Sequence, residues 1–278
     1  MPSKIKIDIP FFISVAILII AGYFIFSSAS LGLLSGKSSN YSSVVFSQTF
    51  FGLFLGGLAC WITSKVSYTF YRKNAFYIFL LAILLTLLVF VPNLGYEHGG
   101  SKRWIYIFSY SFEPSEILKI AYVIYFSAWL SGVKEKVKTF YNGYLPFLVI
   151  TGIVGAILLK QPDTDTFIVT LCAGMALFLV AGGRWRYIIA SMLIILTGII
   201  FITYSRPYVM ARISTFFHPQ ENSLSSGYQI QQSMIAIGSG GLYGRGYGQS
   251  IQKFNFLPEP IGDSIFAVVG EEFGFFGT

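Results

Sequence analysis

The sequence predicts an all-α, polytopic membrane protein that threads the bilayer about eight times. Three observations predict this. Of 278 residues, 54% are hydrophobic and 11% are charged, where an ordinary soluble domain carries about 25% charged residues. Apolar runs approaching the roughly 20 residues needed to cross a bilayer recur along the whole chain. Basic residues gather in alternate connections between those runs, as topology signals do.

The runs fall at about 10–28, 44–63, 75–92, 115–131, 144–160, 166–182 and 187–204, and an eighth begins near Ser264. The first follows Lys4 and Lys6 and is trailed by Ser27, Ser28, Ala29 and Ser30. It exceeds the 7–15 apolar residues of a cleaved secretory signal and reads as a retained span. Short connections carry Lys65, Arg72 and Lys73, then Lys134, Lys136 and Lys138, then Arg184 and Arg186. By the positive-inside rule these loops and the N-terminus are cytoplasmic, and 93–114, 161–165 and 205–263 are external.

No repeat or Pro/Ser-rich linker divides the chain, so 1–278 reads as one domain with 205–263 as a large external loop within it. Within that loop, residues Tyr228 to Ile237 mix apolar and amide side chains, which predicts a short helix lying at the membrane interface. Gly238, Gly240, Gly241, Gly244, Gly246 and Gly248 then permit tight turns.

The net charge of +7 is scattered and forms no basic stripe, so no nucleic-acid partner is expected. Cys60 and Cys172 sit in apolar runs without a close Cys or His partner and read as small core residues. His98 and His218 are lone loop histidines, Gly244-Arg245-Gly246 lacks the strand-helix context of a nucleotide loop, and no metal-ligand spacing is present.

Charges beside or inside spans are costly and mark candidate sites. Four clusters qualify. Gly100-Ser101-Lys102-Arg103-Trp104-Ile105 is either a site or an interfacial anchor with Trp104 at headgroup depth. Glu113-Pro114-Ser115-Glu116-Ile117-Leu118-Lys119 opens the fourth span, with Pro114 at a helix start and Glu116 three residues from Lys119 on one face. That pair can meet inside the bundle, as a site or as a packing device. Lys160-Gln161-Pro162-Asp163-Thr164-Asp165 brings two carboxylates to the mouth between the fifth and sixth spans, either of which also suits a helix N-terminus. The run from Leu257 through Glu259 to Asp263 and Phe266 delivers Asp263 to the start of the eighth span, where capping alone would also account for it.

The segments GSKRWI at 100–105, PSEILK at 114–119, QPD at 161–163, GYQIQQSMIAIGSGGLYGRGYGQSIQKFNFLPEP at 227–260 and GEEFGFFG at 270–277 resemble the SEDS proteins, the FtsW/RodA/SpoVE family of cell-wall polymerases. The resemblance covers essentially the whole chain in order. It implies a ten-span enzyme of the bacterial cytoplasmic membrane, embedded among membrane lipids, that polymerises lipid II into glycan strands beside a class B penicillin-binding protein transpeptidase. Its essential acid aligns with Asp263, its buried acid-base pair with Glu116 and Lys119, and its QPD acid with Asp163.

On that reading Asp263 is the base at the acceptor sugar hydroxyl. The departing diphosphate needs cations, and Lys102, Arg103, Arg212 and Lys253 are the external basic residues available, with Glu259 also in the cavity. Arg103 is favoured because a guanidinium grips phosphate bidentately, and a divalent cation such as Mg would be another means of neutralising the charge.

The chain departs from the family pattern in places. Ile261 and Gly262 stand for the usual His-Thr and Ser264 for Phe. Thr164-Asp165-Thr166 follows QPD, and Glu113 stands where Gln is common. The last two family spans are expected beyond Thr278. The alternatives are a lipid II flippase and a noncatalytic scaffold for a penicillin-binding protein, and the process served is elongation, division or sporulation.

Overall fold

The computed structural model describes residues 8–35, 41–92, 94–98, 101–107, 110–205 and 227–278. All eight apolar runs are helical: α1 Ile9–Ser30, α2 Tyr41–Lys65, α3 Tyr68–Leu87, α4 Pro114–Val133, α5 Leu145–Lys160, α6 Thr164–Val180, α7 Trp185–Ser205 and, after an added helix α8 Tyr228–Gly240, α9 Ile265–Gly277. Five helical stretches among the described residues are long and apolar enough to cross a membrane, from Ile9–Leu34 to Phe140–Lys160; Thr164–Val180 and Trp185–Thr197 are shorter apolar helices. Large side chains such as Phe11, Phe12, Leu18 and Leu81 are outward-facing, as lipid-facing surfaces are. Cys60 and Cys172 are exposed rather than core, because apolar residues on such helices serve the lipid face as well as the interior.

The chain forms two compact units, Met1–Ile62 with Phe201–Thr278, and Thr63–Ile200. In the second unit, Leu118, Tyr122 and Phe126 recur every four residues along α4 and are fully buried, against Phe147, Val154 and Leu158 of α5 and Phe178 of α6. The buried Tyr122 hydroxyl is satisfied by Thr151 Oγ1 at 2.7 Å. Pro114 begins α4 at a position where its missing N–H costs nothing.

The connection between α3 and α4, expected only as a loop, contains strands. It forms a three-stranded antiparallel sheet, β1 Gly95–His98, β2 Ser101–Ile107 and β3 Tyr110–Phe112, in that order. Trp104, Ile105, Tyr106 and Ile107 favour pleated structure, but strands this short give little periodic signal. Alternation along β2 sends Arg103 and Ile105 to one face, partly and fully buried, and leaves Lys102 and Tyr106 exposed.

In the first unit, Asp8 caps α1 by accepting from Phe11 N at 3.1 Å, and α2 contains a wide π-helical stretch at Gln48–Leu55. The predicted short helix appears as α8 and packs on α9. Gly240 meets the Gly270 carbonyl so closely that a Cβ would overlap it. Ala29, Ala236, Leu257, Ala267 and Val268 form the small core of this unit.

Candidate functional site

In the second unit, the polar residues collect at one end of the bundle, where β2 meets the start of α6. Asp163 is the N-cap of α6: Oδ1 accepts from Thr166 N at 3.4 Å and from Arg103 Nη1 at 3.3 Å. Asp163 is 1% exposed, whereas the Arg103 side chain is 31% exposed. Its Oδ2 is buried with no hydrogen-bond partner among the described residues, as is Gln161 Oε1. Gln161 Nε2 donates to the Thr86 carbonyl at 2.9 Å, joining the end of α3 to the end of α5. Glu113, half-buried at the start of α4, has its carboxyl pushed above the usual glutamate range, chiefly by burial. A hydrogen bond from Ser115 at 2.9 Å and the Arg103 charge oppose that shift, and Asp163 adds to it.

Glu116 and Lys119 do pair, at 2.7 Å, but on the outside of α4, with side chains 59% and 27% exposed. The expectation of a pair buried in the bundle is therefore corrected for the described residues. The α4 face that turns inward carries Leu118 and Tyr122 instead. Lys119 borders an open groove of about 260 Å³ between α4 and α6, whose walls include Ile120, Val123, Ile124 and Val169. Lys102 is exposed, and Arg212 lies outside the described residues.

In the first unit, Asp263 stands in the turn just ahead of α9 and is exposed. It makes no hydrogen bond or ion pair among the described residues, and the N-cap position belongs to Ser264, so capping does not account for it. The turn is closed by Gly262 N and Ser264 N, which both donate to Glu259 O at 3.1 Å. Gln229 Nε2 of α8 donates to Ser264 Oγ at 3.1 Å. Glu259 is exposed and adopts a positive φ of 47°.

Lys253 is not the accessible cation expected from its loop position. It is 1% exposed, and its ammonium donates to Glu272 Oε1 at 2.7 Å, Gly248 O at 2.9 Å and Ser28 Oγ at 3.0 Å. An ammonium has three N–H donors, and all are used internally. Its partner Glu272 and the neighbouring Glu271, both buried, were not anticipated as site residues. Two carboxylates inside the apolar stretch at 270–277 were the available signal. Among the described residues no group of three or more His, Cys, Asp or Glu side chains assembles that could hold a metal ion.

Membrane-length apolar helices, with the Glu116–Lys119 pair in the opening turns of one and the Arg103–Asp163 pair at the start of the shorter α6, define a multi-pass membrane protein. The chain belongs to the FtsW/RodA/SpoVE family, described as cell cycle proteins, whose model matches residues 9–278. It is 36% identical over 224 residues to a probable peptidoglycan glycosyltransferase FtsW of Geobacter sp. (strain M18), covering 81% of this chain and 61% of that protein. It is 36% identical over 223 residues to stage V sporulation protein E of Bacillus subtilis (strain 168), covering 80% and 61%. The chain thus spans about three-fifths of the length of these relatives. Among solved structures, it resembles a peptidoglycan synthase complex that coordinates polymerisation and crosslinking, with a TM-score of 0.66 at 21% identity over 92% of this chain and 70% of that one. It also resembles the rod shape determining protein RodA of Thermus thermophilus, with a TM-score of 0.57 at 20% identity over 94% and 67%. At these identities the structures establish a shared fold.

Proposed function

We propose that the protein polymerises peptidoglycan glycan strands from lipid II in the bacterial cytoplasmic membrane, with the N-terminus cytoplasmic and the 205–263 loop external. The observation that carries this reading is Asp263: an exposed carboxylate with no hydrogen bond or ion pair among the described residues, ahead of α9 but not spent on capping it. The names of relatives at 36% identity support the class of reaction. Asp263 accepts the proton of the acceptor sugar hydroxyl as that oxygen bonds to the anomeric carbon of the donor. The bond from that carbon to the diphosphate breaks with inversion, and the lipid diphosphate leaves with its electron pair. Arg103, partly exposed, is the proposed cation for diphosphate oxygens. Glu116, Lys119, Asp163 and Glu259 keep proposed cavity roles, Lys102 and Arg212 proposed substrate contacts.

A class B penicillin-binding protein transpeptidase is the proposed partner, and elongation, division or sporulation the process served. The test is reconstitution with lipid II and the transpeptidase, comparing the protein with its Asp263→Asn variant. Loss of polymer by about 10²–10⁴-fold with lipid II binding retained is expected. Unimpaired polymerisation by the variant removes the assignment.

A further inference from the structure

We propose that Glu271 and Glu272 are positioning residues for Asp263, closing the chain between 250 and 272 into a loop held at its base by buried charge; the proposal rests on the reading of Asp263 as the base. Glu271 accepts from Ser250 Oγ at 2.6 Å, Ile251 N at 3.0 Å and Gln252 N at 3.2 Å, and faces Arg245 Nε at 3.5 Å. Glu272 accepts from Ser250 N at 3.3 Å, from Lys253 Nζ at 2.7 Å and from Ser28 Oγ of α1 at 2.7 Å. Two backbone bonds run beside them: Arg245 N to Glu271 O and Gly246 N to Glu272 O, each 2.9 Å.

Between the two ends of this base, Leu257 is buried on Ala29, Ala236, Ala267 and Val268, and the turn closed on Glu259 O places Asp263 one residue ahead of Ser264. Position 263 is thus located from both directions along the chain. Two carboxylates, one ammonium and one guanidinium balance in charge. A buried pair of this kind is seldom more stable than well-packed apolar side chains. What carboxylates supply and apolar groups cannot is directional acceptance from consecutive backbone N–H groups, here those of Ser250, Ile251 and Gln252. Displacing a reacting group by about 1 Å costs on the order of 10²-fold in rate, so a fixed loop base acts on turnover.

The test compares the protein with a charge-balanced Lys253→Met/Glu272→Met double variant and with Glu271→Gln, both in lipid nanodiscs. Thermal midpoint, amide exchange over 250–264, and kcat and KM for lipid II are measured. The double variant is expected to fold, to exchange these amides at least about tenfold faster, and to lose about 10–100-fold in kcat with KM held within about twofold. Glu271→Gln, which keeps one acceptor oxygen, is expected to show smaller changes of the same kind and decides the matter should the double variant not fold. Unchanged exchange, or faster exchange with unchanged kcat, overturns the proposal. Full polymerisation by Asp263→Asn overturns the catalytic reading instead, while the exchange measurement still reports on the loop base.

Discussion

Arg103 and Asp163, 60 residues apart in sequence, share one oxygen: Oδ1 of Asp163 takes both the guanidinium at 3.3 Å and the first-turn amide of Thr166 at 3.4 Å, and Oδ2 is left buried without a hydrogen-bond partner among the described residues. The pair is lopsided, because the acid is enclosed and the base reaches water.

Removing the two partners should therefore have unequal consequences. Arg103→Ala strands a buried carboxylate and is expected to cost about 1–3 kcal/mol. Asp163→Asn leaves a partly exposed guanidinium that water can solvate and a capping side chain that Asn can replace, so it should cost less. Thermal unfolding of both variants in one detergent measures the difference; equal costs, or the reverse order, contradict this account of the pair.

Glu113 gives a pH-dependent prediction. Burial raises its folded-state carboxyl above the 4.5 of an unperturbed group, so the folded state holds this proton more tightly than the unfolded chain. The contribution to stability is fully present below pH 4.5, falls as pH rises towards the raised folded value, and remains a net cost at neutral pH. Glu113→Gln can keep an acceptor for Ser115 and removes the buried charge. At pH 7 it should stabilise by less than about 1 kcal/mol, since a half-buried group is still screened by water, and below pH 4.5 the gain should vanish. Unfolding curves of the two proteins across that range test it, and a gain that grows on acidification would contradict the burial argument.

Most of the helical plan was legible because apolar length is a one-dimensional signal: each of the eight runs coincides with a helix, and even the amide-rich stretch at Tyr228 resolved into α8. The sheet at 95–112 was not, since strands of three to seven residues offer few repeats of a period of two. The placement of Lys253 was illegible for a different reason. In sequence it is a cation in a long loop, and only its contact with Ser28, 225 residues away, makes it interior. Glu116 and Lys119 show the converse: spacing forecast the pair, but a three-residue interval says nothing about which face of α4 turns inward.

That outward position makes the Glu116–Lys119 pair a weak stabiliser. Exposed ion pairs three residues apart contribute about 0.2–0.5 kcal/mol, so Glu116→Gln should alter the unfolding midpoint little. If the family role carries over to this pair, polymerisation falls while stability holds, and the Glu116→Lys/Lys119→Glu exchange also keeps stability without recovering polymer. A large loss of stability in Glu116→Gln would mean that the pair is buried in the working protein.

The contact between α8 and α9 gives the last prediction, through two glycines only two residues apart. A Cβ at Gly240 would overlap the carbonyl oxygen of Gly270, a backbone atom that cannot swing aside as a flexible side chain can, whereas a Cβ at Gly238 meets nothing within 4 Å. Gly240→Ala must therefore push the helices apart and is expected to cost about 1–3 kcal/mol. Gly238→Ala only lowers the conformational freedom of the unfolded chain and should stabilise α8 by about 0.5–1 kcal/mol. Because α8 also supplies Gln229 to Ser264, one residue after Asp263, the separation forced at 240 should reach the turn that carries Asp263 as well. Gly240→Ala is thus expected to lose polymerisation along with stability, and Gly238→Ala to keep both. Measuring midpoint and polymer yield on the two variants side by side checks the close approach, and a harmless alanine at 240 would refute it.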